Sequence, residues 1–330
     1  MERFIGFDLG DAESAVSYLK KEGMKTPEVI PVRDAKSFIT AYARLNDQTL
    51  LIGEEACYAP DASERKIRFK SRFLKDQAID RDIKSFAAGV LGELYTTGNL
   101  VQGEDCCFYV GCPAGWNKND RERYRRIFEK TGYPPTKIIS ESRAALVSAC
   151  RSKHLQVGYD ILSHPVLVVD IGSSTTDFAY ISGGREVELR TGGEVFLGGG
   201  IMDEILLEES VAASRDERRI RDAFSKSEAW RSYCEFAARR LKEKYFADED
   251  YWQTHECTQT VQIVYDQPVR LTLRMNAQIA DKLLNKKTQG LEGRSFRDVF
   301  IESLRDTRTS ITGDMPDLIF LYNFSSLPAR

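Results

Sequence analysis

The chain has 330 residues, of which 42% are hydrophobic and 29% charged, and its formal net charge is −3. These values are typical of a globular protein of about two domains, and they indicate neither a nucleic-acid surface nor a membrane-spanning run. The seven cysteines are odd in number and lack Cys-x-x-Cys spacing, which predicts reduced thiols and a cytoplasmic location.

The chain opens on a strand that runs into an acid and a glycine. Residues 4–10 read FIGFDLG, with Asp8 near the end of the strand and Gly10 in the turn. A turn of this kind bares backbone N–H groups with little side-chain bulk around them, which is how proteins hold phosphate. An ordinary turn acid would give the same pattern, so Asp8 alone does not identify a site.

The next 140 residues predict an alternation of strands and helices. Asp80 is the expected N-cap of the first long helix, and Gly132 the expected end of the second. The predicted elements are a strand-rich segment over 37–52, a helix over 80–95, a strand over 107–110, a helix over 117–131, a strand over 137–139 and a helix over 141–150.

The strand–turn–strand pattern then returns. Residues 166–181 read VLVVDIGSSTTDFAYI, in which Asp170 ends one apolar run, Asp177 begins the next, and Gly172 to Thr175 form the turn. Two such hairpins, each with an acid at its strand end, suggest one nucleotide held from two sides. We therefore expect two lobes, residues 1–164 and 165–330, with a ligand cleft between them.

The second half continues the mixed α/β pattern. Its charged stretch over 216–246 predicts helix, and residues 317–321 predict a buried strand. The other predicted elements are a strand over 186–190, a glycine turn over 197–200, a helix over 201–213, a hairpin over 258–273 and helices over 276–285 and 295–304.

These motifs, in this order, resemble the nucleotide-binding domain of the 70-kilodalton heat-shock chaperones, within the actin, sugar-kinase and heat-shock ATPase superfamily. The resemblance covers nearly the whole chain and implies a two-lobed actin-like ATPase with duplicated, ribonuclease H-like mixed sheets. The motifs that carry it are IGFDLG (5–10), FKSRFL (69–74), VGCPAGW (110–116), ISESRAAL (139–146), VVDIGSSTTDF (168–178), FLGGGIMD (196–203) and CEFAARRLKEKYF (234–246).

The resemblance implies a site for ATP or ADP with magnesium. Asp8 and Asp170 would hold the water shell of the magnesium ion, since this ion prefers oxygen ligands and keeps several waters. Lys70 would stabilise charge on the transferred phosphoryl group, and Glu141 and Asp177 would orient the attacking water. Further implied contacts to the nucleotide come from Gly10, Asp11, Gly172, Ser173, Ser174, Thr175, Gly198, Gly199, Glu235 and Arg239.

Several of these residues also have plain structural interpretations. Glu141 could serve only as a first-turn acid of its helix. Lys70 lies in a basic stretch, and Arg239 lies in a charged helix, so each could belong to a solvated face. The resemblance favours a functional role for each of these residues, and the structural interpretation stays open.

The chain departs from the family pattern at three places. Asp11 and Ala12 replace hydroxyl residues after the first glycine, and a carboxylate there would repel a terminal phosphate. Ser173 and Ser174 replace two glycines. Tyr322, Asn323 and Phe324 stand where the family has a Gly-Gly turn, which predicts an incomplete C-terminal part and weak turnover.

The favoured function is a chaperone-like domain that binds Mg-ATP or Mg-ADP and hydrolyses ATP slowly, with a co-chaperone or exchange factor as partner. No nucleic acid, membrane or peptide-binding domain is expected. The alternatives are a catalytically impaired actin-like scaffold or filament protein and, less favoured, a small-molecule kinase of the same superfamily, because no base for a substrate hydroxyl is evident.

Overall fold

The computed structural model describes residues 3–24, 26–59, 61–151, 163–189, 194–265 and 267–322. The chain folds into two compact units. Unit 1 comprises residues 1–169, 177–188 and 314–320, and unit 2 comprises residues 170–176, 189–313 and 321–330.

Unit 1 carries most of the β-structure. Its elements are β1 (Arg3–Leu9), β2 (Glu13–Lys20), β3 (Glu28–Ile30), β4 (Phe38–Ile39), β5 (Ala41–Leu45), β6 (Leu50–Ile52), α1 (Gly53–Tyr58), β7 (Ala62–Ile67), a 3₁₀ helix (Lys70–Arg72), α2 (Ile79–Thr96), β8 (Cys106–Cys112), α3 (Lys118–Thr131), β9 (Thr136–Ser140), α4 (Glu141–Arg151), and the larger parts of β10 (Val166–Ile171) and β11 (Thr176–Ser182), followed by β12 (Arg185–Val187).

Unit 2 is built from helices and one hairpin. Its elements are β13 (Glu194–Val195), α5 (Gly199–Ala212), α6 (Glu217–Lys226), α7 (Glu228–Ala247), α8 (Glu249–Trp252), β14 (Cys257–Tyr265), β15 (Gln267–Met275), α9 (Ala277–Asn285), a second 3₁₀ helix (Gln289–Leu291) and α10 (Phe296–Ser310). The last strand, β16 (Leu318–Tyr322), begins in unit 1.

Two mixed sheets repeat one strand order. The first runs β3-β2-β1-β8-β9, with β1 antiparallel to β2 and parallel to β8, and the second runs β12-β11-β10-β16. In each sheet three consecutive strands lie in reverse order beside a strand from later in the chain. This repetition confirms the expected duplicated, actin-like α/β architecture.

Each sheet has its own apolar core. In unit 1, side chains of β1, β8, α2 and α3 pack together, including the fully buried Phe7, Phe108 and Phe128. Leu146 of α4 packs on the second sheet with Val168 of β10. Unit 2 has a separate core between α5, α7 and the β14–β15 hairpin.

Local sequence signals define both ends of α3. Asn117 caps α3 by accepting from the backbone N–H of Asp120, and the Asp120 side chain accepts from Asn117 N, which completes a capping box. Gly132 ends α3 with a φ of 91°, a conformation that glycine adopts without steric cost.

Two sequence predictions were wrong in detail. Asp80 is the second residue of α2 rather than its N-cap, and its carboxylate pairs with Arg123 instead. The stretch over 216–246 is helical as predicted, in two helices, α6 and α7, that meet at Ser227. The strand predicted to be buried, β16, lies at a sheet edge with Leu321 66% exposed.

Each compact unit is built from more than one segment of the chain. The contacts group residues 177–188 with unit 1, because β10 and β11 share a core with α4. A division at residue 164 therefore remains a prediction. Of the other predicted features, Arg190, Asn323 and Phe324 lie outside the described residues.

Candidate functional site

Lys70 and Glu141 form the best-defined pair among the candidate residues. Lys70 begins the 3₁₀ helix after β7 and is 5% exposed, which excludes the solvated basic face. Its Nζ lies 2.6 Å from Oε1 of Glu141, the first residue of α4. Trp116 also lies near the ammonium group, with its ring centroid 5.9 Å from Nζ.

The approach of Glu141 depends on a glycine in β8. A Cβ placed on Gly111 would lie 2.8 Å from Cγ of Glu141, so any larger residue would displace the carboxylate. The first-turn position of Glu141 also suits the dipole of α4. The two interpretations of Glu141 are therefore compatible, because its backbone begins the helix while its side chain reaches Lys70.

Asp8 completes an acidic and basic cluster in unit 1. Burial and, after it, the charge of Glu141 raise the pKa of Asp8 to about 7, although Lys70 acts in the opposite direction. Burial by itself lowers the pKa of Lys70, but the attraction of Glu141 and Asp8 outweighs it and leaves that pKa above its ordinary value. One fixed cation thus faces two carboxylates that compete for it.

The first turn positions the segment that carries Lys70. The Asp11 carboxylate accepts a hydrogen bond from the backbone N–H of Ser71 at 2.9 Å. Thr40 Oγ1 donates to the carbonyl oxygen of Gly10 at 2.8 Å. Asp11 therefore has a structural role that the sequence did not reveal. Contact of Gly10 or Asp11 with a nucleotide remains a prediction.

The second turn, residues 172–175, lies in unit 2 and is closed by a 2.8 Å hydrogen bond from the N–H of Gly172 to the carbonyl oxygen of Thr175. Asp170, just before this turn, is 8% exposed. Asp177, which belongs to unit 1, is 5% exposed. Buried carboxylates at strand ends are uncommon without a functional or pairing reason.

The glycine turn, residues 198–200, contacts the second turn through the backbone. The N–H of Gly199 donates to the carbonyl oxygen of Gly172 at 2.9 Å, and that of Gly200 donates to Ser173 at 2.7 Å. A Cβ on Gly198 would lie 2.2 Å from the Ser173 carbonyl oxygen. Only glycine permits so close an approach of two backbones.

The helix expected to reach the adenosine, α7, carries both predicted residues. Arg239 is 6% exposed and donates from Nε to Glu243 at 2.7 Å, so it does not belong to a solvated face. Glu235 accepts from Arg231 at 3.0 Å. Contact of Glu235 or Arg239 with adenosine remains a prediction.

Sequence reasoning missed a residue on the same helix. Lys242 is 5% exposed, and its Nζ lies 2.6 Å from Oδ1 of Asp203 on α5. The same Nζ donates to the Gly199 carbonyl oxygen at 3.0 Å. The only sequence signal was spacing: Lys242 lies four residues after Ala238, so the two side chains share one face of the helix, and Ala238 is buried.

The donor set suits magnesium held through water rather than a closed protein cage. No group of three or more His, Cys, Asp or Glu residues among those described could enclose a metal ion. Asp8 is a deeply placed carboxylate beside a second carboxylate, and a cation would relieve their repulsion. Magnesium commonly uses one or two carboxylates together with water and phosphate oxygens.

The structure thus brings the predicted residues together in two groups. Asp8, Lys70 and Glu141 interact in unit 1. The second turn and the glycine turn interact in unit 2. The relation between the two groups, and with it the pairing of Asp8 with Asp170, remains a prediction.

Comparison with known proteins gives two kinds of likeness. No protein family model matches the chain. The chaperone protein DnaK of Thermoplasma acidophilum is 26% identical over 257 residues, covering 69% of this chain and 40% of that protein. DnaK of Picrophilus torridus is 27% identical over 227 residues, covering 63% of this chain and 35% of that protein. The chain spans well under half the length of these relatives.

A solved structure is similar over almost the entire chain. The crystal structure of MreB5 of Spiroplasma citri bound to ADP superposes with a TM-score of 0.60 at 18% identity, covering 98% of this chain and 85% of that one. The class of protein is therefore an actin-like α/β fold. In sequence, the chain is distantly similar to part of DnaK.

None of the helices in the described part of the chain combines the length and apolar character that a membrane-spanning segment needs.

Proposed function

We propose that this domain binds Mg-ATP and Mg-ADP and hydrolyses ATP slowly. The observation that carries the proposal is the ion pair of buried Lys70 with Glu141 beside Asp8, because a cation and two carboxylates at a phosphate-type turn suit phosphoryl transfer. The second turn, held by hydrogen bonds from the glycine turn, would supply backbone N–H donors from unit 2.

The chemistry follows from the positions of the side chains. Glu141 holds Lys70 through Oε1, and its second carboxylate oxygen would orient the attacking water by accepting a hydrogen bond from it. Lys70, held rigidly, would stabilise negative charge on a phosphoryl group without further reorganisation. Asp8 and Asp170 would hold magnesium through water, and the ion would neutralise charge on the outer phosphates. Asp177 and Thr175 would contact the water and the terminal phosphate.

The proposal extends to partners and location. A co-chaperone or exchange factor would act on the nucleotide-dependent state, as in a chaperone. The seven cysteines all lie in the described part of the chain and form no disulfide there, which supports the cytoplasm, where thiols stay reduced.

A thermal melting series tests nucleotide binding. A ligand at 100 times its dissociation constant stabilises the folded state by about 2.7 kcal/mol. Millimolar Mg-ATP and Mg-ADP should therefore raise the melting temperature of the wild type, and Asp170→Asn should reduce that rise. Asp281→Asn, which changes an exposed acid on α9, is the matched control. No rise for the wild type with either nucleotide would overturn the proposal.

A second candidate is an actin-like scaffold or filament protein with an impaired site. The similarity to MreB5 over 98% of this chain favours it, because that structure matches more of the chain than the DnaK sequences do. Sedimentation separates the two functions. A filament protein should pellet when Mg-ATP is added, whereas a chaperone-like domain should remain in the supernatant.

A further inference from the structure

The buried ion pair between Lys242 and Asp203 has no part in the chemistry proposed above. Both side chains are almost fully buried, at 5% and 1% exposure, and Nζ lies 2.6 Å from Oδ1. Removing two charges from water costs about as much as their attraction returns, so an apolar pair would hold α5 to α7 as well. The ion pair therefore points to a role other than stability.

The ammonium group of Lys242 is aimed at the glycine turn. Its aligned hydrogen bond goes to the carbonyl oxygen of Gly199 at 3.0 Å, whereas Asp203 supplies the opposing charge. A Cβ on Gly199 would lie 2.9 Å from Nζ, so the amine sits directly against the turn. Asp203, one turn into α5, keeps the amine in this position.

The glycine turn in turn orients the second turn. Its N–H groups at Gly199 and Gly200 bind the carbonyl oxygens of Gly172 and Ser173. In a planar trans peptide the C=O and the following N–H point in opposite directions. The N–H groups of Ser173 and Ser174 are therefore directed away from the glycine turn. Two successive N–H groups with a common direction form an anion-binding concavity.

We propose that Lys242 is a positioning residue for the phosphate-binding turn. Its ammonium group, balanced by Asp203, holds the glycine turn, which fixes the peptide groups that present Ser173 N–H and Ser174 N–H to the phosphates. This inference rests on the proposed nucleotide binding and names the residues that make unit 2 specific for phosphorylated ligands.

The experiment compares variants that alter the charge pair in different ways. Lys242→Met alone would strand the Asp203 charge in the interior, so the informative variant is the double change Lys242→Met with Asp203→Asn. Lys242→Arg keeps the charge and the donor. Lys282→Met removes a half-exposed ion pair with Glu209 elsewhere in unit 2 and is the matched control.

Affinities for ATP, ADP and adenosine are measured by calorimetry at constant magnesium. The double variant should lose about tenfold in affinity for ATP and ADP, but only about twofold for adenosine, since adenosine has no phosphate to contact the turn. Lys242→Arg should keep most of the affinity for ATP, and Lys282→Met should match the wild type. Unchanged ATP and ADP affinity, or an equal loss for all three ligands, would overturn the inference.

Amide hydrogen exchange of the nucleotide-free protein gives a separate readout. The double variant should exchange the amides of Gly199 and Gly200 faster, while the amides of the β14–β15 hairpin keep wild-type rates. Unchanged exchange at the glycine turn would overturn the positioning role. If the wild type binds none of the three ligands, the proposed function fails, and the exchange rates still decide whether Lys242 holds the turn.

Discussion

Nζ of Lys70 lies 2.6 Å from Oε1 of Glu141, although the two residues are 71 positions apart in the chain. The contact joins the 3₁₀ helix after β7 to the first residue of α4. Because Lys70 is 5% exposed, its charge depends on this partner. The pair thus connects two motifs that the sequence could only place in order.

Loss of the Lys70 charge should destabilise the fold in a pH-dependent way. Lys70→Met leaves Glu141 and Asp8 facing each other, at a cost of about 2–3 kcal/mol near pH 8. The cost should be smaller near pH 5.5, where one of the two carboxylates takes up a proton. Urea unfolding at both pH values measures it.

The double variant Lys70→Met with Glu141→Gln is the control, since it removes the charge left behind and should regain much of the lost stability. A cost that is equal at the two pH values, or a double variant no more stable than the single one, would contradict this account of the cluster.

Ionisation of Asp8 should lower the free energy of unfolding as the pH rises. Burial raises its pKa from 3.8 to about 7 in the folded state, so the folded protein binds this proton more tightly than the unfolded chain. The resulting stabilisation is full below about pH 4 and is lost as the pH rises to about 7. Asp8→Asn should therefore gain about 1–3 kcal/mol relative to the wild type across this range.

Asp47 provides a control of opposite sign. Hydrogen bonds from Thr49 lower the pKa of Asp47, so its contribution is present at neutral pH and is lost on acidification. The Asp47→Asn variant should have a lower free energy of unfolding than the wild type at neutral pH, and the difference should disappear as the pH falls through the acid range. Guanidinium unfolding between about pH 2 and 8 gives both curves. Parallel curves for Asp8→Asn and the wild type would refute the raised pKa.

The close contact at Gly198 should tolerate no side chain. Gly198→Ala places a Cβ 2.2 Å from the carbonyl oxygen of Ser173, and relief of this overlap should cost about 1–3 kcal/mol and disturb the second turn. The variant should also lose most of the thermal shift produced by Mg-ATP. Gly290→Ala is the control, because nothing lies within 4 Å of its added Cβ. Equal behaviour of the two variants would contradict the packing described.

Asp11 should act through the Lys70 segment. Asp11→Ala removes the acceptor for the Ser71 N–H, and we expect a loss of about 1 kcal/mol, as for the loss of a helix cap. Asp11→Asn retains an acceptor and should lose less. Chemical denaturation of the two variants measures the difference. Higher ATP affinity in both, with no loss of stability, would instead favour repulsion between the Asp11 carboxylate and a phosphate.

The sequence predicted the order of strands, the two turns and the glycine turn, because glycine, strand periodicity and acid positions are local signals. The end of α3 at Gly132 was likewise predicted. The Lys70–Glu141 contact was not predicted, because it joins distant segments of the chain. The burial of Arg239 and Lys242 could not be predicted. The residue types of a charged helix are the same whether its polar face is exposed to water or packed against another element.

The exposed β16 shows a second limit of pattern reading. The apolar run Leu318 to Leu321 indicated a buried strand, yet β16 lies at the edge of its sheet. The apolar residues of a strand show that it could be buried. Whether it is buried depends on the position of the strand in the sheet.

We propose that the domain binds one Mg-nucleotide, with Asp8 and Asp170 holding the water shell of its magnesium ion. A crystal structure of the protein with Mg-ADP tests it most directly. We expect both carboxylates at about 4–5 Å from one magnesium ion, each through an intervening water, with the phosphates against residues 172–175. Nucleotide bound elsewhere, or an ion that only one of the two carboxylates approaches, would contradict the claim.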